Sequence, residues 1–230
     1  MVKNFFLKIN LNWRAYLAEF LGTFFMVLIS LGTVLGDIST GLVGVLGIGF
    51  AFAFSYMVMV FATIHISGGH LNPAISLSLW FSKKLKGLDL LFYVFFQFLG
   101  GFLAAVFMFL LFGPNFAGAA VFEVLGDVSL QKAVLVEALA SFVLVFVYFS
   151  TLVDRRGPVS FGPFVLGAAT LALFLFSFPF VGGVINPAQA LGPSVVANSY
   201  SNLLIFLIGP FCGSLFGLVY EWLFVGKMKK

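Results

Sequence analysis

Two copies of the tripeptide Asn-Pro-Ala, at residues 72–74 and 186–188, are the residues best suited to bind a small molecule. Proline favours the first turn of a helix, where its missing N–H would have no partner. Asparagine favours the capping position just before it. Each motif therefore predicts a helix that begins at Pro73 or Pro187, with the amide of Asn72 or Asn186 beside the positive end of the helix dipole. Such an end donates hydrogen bonds to a small polar molecule.

The other candidates for chemistry are two glutamates and two histidines. Glu19 and Glu137 lie inside long apolar runs, and an ionisable residue within a membrane segment is a functional candidate by default. Proton-coupled transport is therefore one hypothesis. His65 and His70 are five residues apart and have no cysteine or carboxylate close by in the sequence, so no metal site is expected. No nucleophile, base and orienting group occur at a plausible spacing, which argues against an enzyme.

The composition shows which elements must position these residues. Of the 230 residues, 62% are hydrophobic and 9% are charged, whereas soluble domains carry about 25% charged residues. Six apolar runs are long enough to cross a bilayer as helices, which takes roughly 20 residues. They lie at 15–35, 41–64, 88–112, 132–153, 158–180 and 202–225. Two pieces that begin at proline, 73–81 and 187–197, are too short to cross.

The charged residues predict the orientation of these runs. If the six runs cross alternately, 11 of the 12 basic residues fall on one side, and the positive-inside rule places that side and both termini in the cytoplasm. Lys132 falls on the other side, with Asp37, Glu123 and Asp127. The 11 are Lys3, Lys8, Arg14, Lys83, Lys84, Lys86, Arg155, Arg156, Lys227, Lys229 and Lys230.

The remaining composition excludes several other classes. The net charge of +4 comes from few charged residues, so it does not indicate nucleic-acid binding. The single cysteine, Cys212, excludes an internal disulfide and a cysteine-rich metal site. The first residues lack the pattern of a cleaved signal peptide, so the first span is expected to be retained.

The sequence also repeats itself. AYLAEFLGTFFMVL from Ala15 matches AVLVEALASFVLVF from Ala133, at an offset of 118, and HLNPAISL matches VINPAQAL, at an offset of 114. Each half contains three spans, an odd number, so the halves insert with opposite orientation. We expect one transmembrane channel domain, 1–230, made of inverted repeats at about 1–116 and 117–230. The two short helices then enter from opposite sides and meet at mid-depth.

The segments before the two motifs are rich in glycine, as extended backbone requires. Non-helical backbone is tolerated deep in a membrane only where it lines a cavity or is buried in protein. The carbonyl groups of these segments are therefore predicted to form a polar ladder along a pore. The residues concerned are Gly68, Gly69, His70, Gly182, Val184 and Ile185.

With these motifs the chain resembles the aquaporin, or major intrinsic protein, family over essentially its whole length. The resemblance rests on SGGHLNPA, the second Asn-Pro-Ala, the paired AEFLGT and VEALAS segments, and GPFCG in the last span. It implies an all-α membrane protein with six transmembrane helices and two half-helices, assembled as a homotetramer with one pore per protomer. Asn72 and Asn186 would donate to water in single file, and Glu19 and Glu137 would accept hydrogen bonds from the loop backbone. The channel would need no cofactor or metal.

The sequence departs from the family at the constriction that the resemblance implies, formed by Phe52, Phe174, Gly183 and the residue after the second motif. That residue is usually arginine, but here it is Gln189, which lacks a fixed charge and the donor fork of arginine. We expect a water channel first. The alternatives are a channel for glycerol, other small neutral solutes or ammonia, the proton-coupled transporter, and a scaffold with a closed pore. The family's glycerol carriers commonly have an aspartate after the arginine, and Ala190 and Leu191 supply none.

Overall fold

The computed structural model describes residues 12–113 and 122–225. Within them the chain is helical, and six helices are long and apolar enough to cross a membrane. Each contains or closely matches one predicted run, but several continue past it because the run marks only apolar residues. The first helix, for example, extends through Asp37 to Thr40. Lys3, Lys8, Lys227, Lys229, Lys230 and the predicted boundary between the repeats lie outside the described residues.

The helices are numbered along the chain. They are α1 (Trp13–Thr40), α2 (Gly44–Ser67), α3 (Pro73–Phe81), α4 (Gly87–Phe112), α5 (Leu130–Tyr148), α6 (Gly162–Val181), α7 (Pro187–Val196), α8 (Leu203–Ser214) and α9 (Phe216–Tyr220). A wider helical turn at Phe149–Val153 extends α5, and another at Glu221–Val225 extends α9. A short tight turn, Val159–Phe161, leads into α6. The short pieces predicted at the two motifs are α3 and α7, and the second ends one residue earlier than expected.

Glycines in the left-handed conformation end the helices that lead into loops. Gly41 follows α1, Gly68 follows α2 and Gly182 follows α6, each with positive φ and a backbone N–H bonded to the last turn. A residue without a Cβ adopts this conformation at little cost. The chain therefore leaves α2 and α6 abruptly, within the bundle, and turns toward α3 and α7.

Each short helix packs against the last span of the other half. α7 lies on α4, and α3 lies on α8 and α9 as well as on α4. The contact of α7 with α4 is made by glycine, since a methyl group on Gly101 would lie 2.2 Å from the carbonyl oxygen of Ala188. Small residues at such positions allow helix backbones to approach closely in membrane proteins. The two halves are thus joined through their short helices.

The face of the bundle where α1 begins and α9 ends is here called the terminal face. Polar contacts join helices at this face. Tyr16 donates to Asp89 across 2.6 Å, and Lys84 lies 2.9 Å from Glu221. The opposite end of the bundle, around Thr40 and Gly44 and the start of α5, is called the far face. Leucine and phenylalanine side chains are exposed around the bundle, as expected of a surface in contact with lipid.

Candidate functional site

The two asparagines cap the short helices, as their motifs predict. Asn72 Oδ1 accepts a hydrogen bond from the Ala74 N–H at 2.8 Å, and Asn186 Oδ1 accepts one from the Ala188 N–H at 3.0 Å. Each amide nitrogen also crosses to the other half. Asn186 Nδ2 donates to the Leu71 carbonyl at 2.8 Å, and Asn72 Nδ2 donates to the Ile185 carbonyl at 3.3 Å. The N-terminal ends of α3 and α7 therefore meet inside the bundle.

The residue before each asparagine has an unusual backbone conformation. Leu71 has φ 49° and Ile185 has φ 56°, in the left-handed region that bulky residues rarely adopt. Such strain persists only where the surrounding structure enforces it, and it concentrates at functional sites. Here each strained residue contributes the carbonyl that accepts from the opposite asparagine, so strain and the crossed hydrogen bonds occur together.

Glu19 is fully buried and holds the loop that leads to α3. Its Oε1 accepts from the Ser67 hydroxyl at 2.6 Å and from the His70 N–H at 3.0 Å. Its Oε2 accepts from the Leu71 N–H and the Gln97 amide, both at 2.7 Å. A carboxylate with four donors has little capacity left to exchange a proton with a solute.

Glu137 is also fully buried, but among the described residues it holds the second loop through backbone N–H groups, those of Ile185 and Val184, without the side-chain donors that Glu19 has. Its Oε2 accepts from the Ile185 N–H at 3.1 Å. Its Oε1 has no hydrogen-bond partner among the described residues. The two carboxylates therefore occupy the same place in their halves and make contacts of unequal number.

Protein groups already occupy several of the carbonyls predicted to form the polar ladder. Tyr148 donates to the Gly68 carbonyl at 2.9 Å, and Tyr56 donates to the His70 carbonyl at 3.2 Å. In the second loop, the Ile185 carbonyl accepts from Asn72, and the Val184 carbonyl accepts from the Asn186 N–H. A carbonyl oxygen has a second lone pair, so each of these groups keeps acceptor capacity.

The four residues assigned to the constriction come together near the far face. The rings of Phe52 and Phe174 have centroids 5.1 Å apart, and both are buried. Phe174 lies against Gly183, where a methyl group would be 2.7 Å from the ring. Gln189 is turned toward α1, with its amide 3.2 Å from the Ser30 hydroxyl.

Two cavities lie along this line of residues. A small one of about 10 Å³ is lined by both asparagines, Gln189, Phe52 and Tyr56. A wider one of about 360 Å³ opens toward the far face between Phe52, Phe174, Asp37 and Glu123. Phe52 belongs to the walls of both, so the aromatic pair stands between them. The small cavity has about the size that one water molecule needs.

The structure adds residues that the sequence analysis did not select: Ser30, Tyr56, Gln97 and Tyr148. The internal repeat could have drawn attention to two of them, because the offset of 118 aligns Tyr148 with Ser30, so they occupy equivalent positions in the two halves. The two histidines are not brought together as a pair. His65 is exposed, whereas His70 is buried with Nδ1 at 3.0 Å from the Ser76 hydroxyl.

These features define a helical membrane protein in which two capped short helices meet end to end at a small cavity that both asparagines line. The model of the Major intrinsic protein family matches residues 7–220, and the chain belongs to that family. Its members are passive membrane channels for water or small solutes and not enzymes.

Known proteins similar to this chain cover most of its length. "Aquaporin TIP4-4" of Zea mays is 34% identical over 222 residues, which are 93% of this chain and 88% of that protein. "Aquaporin-4" of Homo sapiens is 33% identical over 218 residues, 92% of this chain and 68% of that protein. The solved structure of the aquaglyceroporin from Plasmodium falciparum superposes with a TM-score of 0.83 at 21% identity, over 94% of this chain and 97% of that one. This last similarity establishes the fold alone.

Proposed function

We propose that the chain conducts water in single file past Asn72 and Asn186 and excludes ions and protons. The observation that carries this proposal is the cavity of about 10 Å³ that both asparagines line. Each amide nitrogen has two hydrogens and makes one hydrogen bond within the described residues. One donor on each side therefore remains to orient a water molecule in the cavity.

Two features of the channel exclude ions and protons in this proposal. The positive ends of α3 and α7 point at the cavity from opposite sides and repel cations. A water molecule that accepts from both asparagines keeps its oxygen toward them, which interrupts a chain of proton transfers. The constriction formed by Phe52, Phe174, Gly183 and Gln189 then acts through size and polarity, because it contains no charge.

Small neutral solutes, including glycerol and ammonia, are the second candidate. The observation that favours them is the uncharged aromatic pair, which offers a permeating molecule little polar contact beyond Gln189. Ser30 positions that amide by accepting its hydrogen bond. The proton-coupled transporter has less support, because Glu19 already accepts hydrogen bonds from two backbone N–H groups of the loop, from Ser67 at the end of α2 and from Gln97 on α4.

The wider organisation is also a proposal. We infer a single channel domain of two inverted repeats, about 1–116 and 117–230, supported by the matching contacts of the two loops. The terminal face would be cytoplasmic, since the described basic residues other than Lys132 lie on helices or links at that face. The location is a cell membrane, and the assembly is a homotetramer by analogy with the family.

The test is stopped-flow light scattering on proteoliposomes under sucrose, glycerol, urea and ammonia gradients. Wild type is expected to shrink faster than empty liposomes under sucrose, and equal rates would refute the water channel. Gln189→Arg is expected to lower glycerol and urea permeability because it adds bulk and charge at the cavity. Ser201→Arg is the matched control, since it adds the same charge at an exposed position outside the cavity lining. Unchanged permeability in Gln189→Arg would show that Gln189 is outside the constriction.

Proton exclusion needs a separate measurement. Current recordings on planar bilayers that contain the protein are expected to show no ohmic proton current above that of the lipid. A large proton current in wild type would refute the role assigned to the two asparagines. Glu19→Gln is expected to leave water flux independent of a pH gradient, whereas saturable uptake driven by such a gradient and lost in this variant would favour the transporter.

A further inference from the structure

The two halves place equivalent residues around equivalent loops, and the contacts verify the pairing. At an offset of 114, Val60 corresponds to Phe174 and Gly69 corresponds to Gly183. A methyl group on Gly69 would lie 3.1 Å from Val60, as one on Gly183 would lie 2.7 Å from Phe174. The loop glycine thus packs against the same helix position in both halves.

This pairing shows where each half places its aromatic side chains. Phe174 lies on the far side of the asparagines. Thr170 lines the small cavity, and Ser30 contacts the Gln189 amide. The corresponding positions on the terminal side are Val60, Tyr56 and Tyr148. The terminal side therefore has tyrosine rings against the first loop at two positions where the far side has the small residues Thr170 and Ser30, and it has Val60 where the far side has Phe174.

Both tyrosines are buried and held in place by the loop. Tyr56 donates to the His70 carbonyl and also lines the small cavity. Tyr148 donates to the Gly68 carbonyl, and its ring meets the His70 ring edge-on with centroids 5.9 Å apart. A hydroxyl that donates to a carbonyl fixes its ring and keeps its oxygen as an acceptor. These rings consequently have defined positions on the terminal side of Asn72.

We propose that Tyr56 and Tyr148 form a second constriction, on the terminal side of the asparagines, that admits water and excludes solutes of the size of glycerol. The proposal rests on the proposed channel function and names two residues that determine its substrate. The small cavity holds about one water, and Tyr56 forms part of its wall, so a larger solute can pass only if the Tyr56 ring moves. Tyr148 is assigned to the constriction by its contacts with Gly68 and the His70 ring and does not itself line the cavity. The hydrogen bonds to Gly68 and His70 oppose movement of the two tyrosine rings.

The test replaces each tyrosine by its counterpart in the other half. Tyr56→Thr and Tyr148→Ser are measured separately for the ratio of glycerol to water permeability in proteoliposomes. We expect either change to raise that ratio roughly tenfold, which corresponds to about 1.4 kcal/mol in the barrier. Tyr93→Phe is the matched control. It removes the hydroxyl that donates to the Ser67 carbonyl at 2.7 Å, at the end of α2 and before the loop carbonyls that Tyr56 and Tyr148 hold, and is expected to leave the ratio unchanged.

The outcomes separate this proposal from the channel function. If wild-type liposomes show no water flux above lipid, the channel function and this inference both fail. If wild type conducts and both variants keep the wild-type ratio, only the second constriction is refuted. Loss of water flux in both variants, with Tyr93→Phe still active, would refute it as well, because the tyrosines would then be structural supports of the loop. Tyr148→Phe keeps the ring and is expected to retain most of the exclusion of glycerol.

Discussion

The loop before α3 and the loop before α7 have the same backbone course and are stabilised differently. Glu19 receives four hydrogen bonds, two of them from side chains, including Gln97 on α4, whereas the contacts of Glu137 among the described residues are with the backbone N–H groups of Ile185 and Val184. The position on α8 that corresponds to Gln97 is Gly209, if QFLGG is aligned with GPFCG. A methyl group there would lie 2.5 Å from the Glu137 Cβ. The first half therefore uses a polar network where the second half uses close packing.

This difference shows that each loop needs a buried carboxylate to accept hydrogen bonds from its backbone N–H groups. The other partners of that carboxylate can differ between the halves. A buried donor left without a partner costs on the order of 1–3 kcal/mol, so each loop needs its glutamate. Beyond that requirement, the second half has close packing of α8 against α5 where the first half has a network of side-chain hydrogen bonds. The aromatic residues follow the same logic, with Phe174 against one loop and tyrosines against the other.

The largest expected effect is the loss of Glu19. Glu19→Ala leaves the backbone donors of His70 and Leu71 unpaired, each at a cost on the order of 1–3 kcal/mol. It also removes the acceptor of the Ser67 hydroxyl and the Gln97 amide. Glu137→Ala removes backbone contacts with Ile185 and Val184 and no side-chain hydrogen bond among the described residues, so it is expected to be the milder change. The measurement is the midpoint of thermal unfolding of each variant in detergent. Equal shifts in the two variants would show that the unequal contacts do not determine loop stability.

The contact of each short helix with the opposite half gives the second test. Gly101→Ala places a methyl group 2.2 Å from the Ala188 carbonyl, which is backbone and cannot rotate away. The close contact of α3 with the last span of the other half is at Gly217, where a methyl group would meet the Ser78 hydroxyl and, at 2.9 Å, the Phe149 ring; both are side chains rather than backbone. Overpacking typically costs about 1–3 kcal/mol, and we expect Gly101→Ala to lower the unfolding midpoint and water flux more than Gly217→Ala. The reverse order would contradict the close packing of α7.

The loop glycines provide a third test, with water permeability as the readout. Gly183→Ala and Gly69→Ala both add a Cβ at positive φ, 77° and 65°, which costs roughly 1–2 kcal/mol per residue. Only Gly183→Ala also displaces an aromatic ring, Phe174. We therefore expect the larger fall in water permeability for Gly183→Ala. Indistinguishable permeability would mean that Phe174 does not limit flux.

The smallest expected effect concerns the link between α5 and α6. Hydrogen bonds from Arg156 hold the pKa of the Asp154 carboxyl well below its usual range, so folding favours the ionised form. The resulting stabilisation is full above the ordinary aspartate pKa of about 4 and is lost as pH falls toward the lower pKa of the folded state. Asp154→Asn is expected to lower the unfolding midpoint slightly at pH 7, and less at pH 3.

The control for this prediction is Arg156→Gln, which removes the donor and should reproduce the same dependence on pH. Asp37 stabilises the corresponding link of the first half through the backbone N–H groups of Val43 and Gly44, at 3.0 and 2.8 Å. Within residues 12–113 and 122–225, no basic side chain pairs with Asp37. A loss of stability in Asp154→Asn that is as large at pH 3 as at pH 7 would rule out the ionised pair as its cause.

Much of the fold follows from local properties of the chain. The spans could be predicted because roughly 20 consecutive apolar residues suit the bilayer, and the starts of α3 and α7 because proline and asparagine favour helix starts regardless of their surroundings. The crossed hydrogen bonds of Asn72 and Asn186 could not be predicted in detail. They join residues 113 and 115 positions apart, and such contacts depend on how the halves pack.

The sequence by itself determined the six membrane helices, the two capped short helices, the internal repeat and the buried position of both glutamates. Composition and motif are sufficient for these features, because each depends on the preference of a short segment for lipid or for a helix start. Only the tertiary structure decided that Gln189 turns to Ser30, that Glu19 gains the side-chain donors Ser67 and Gln97, and that Tyr56 and Tyr148 donate to the loop carbonyls. Those contacts join different helices, so distances across the bundle set them rather than the order of residues along the chain.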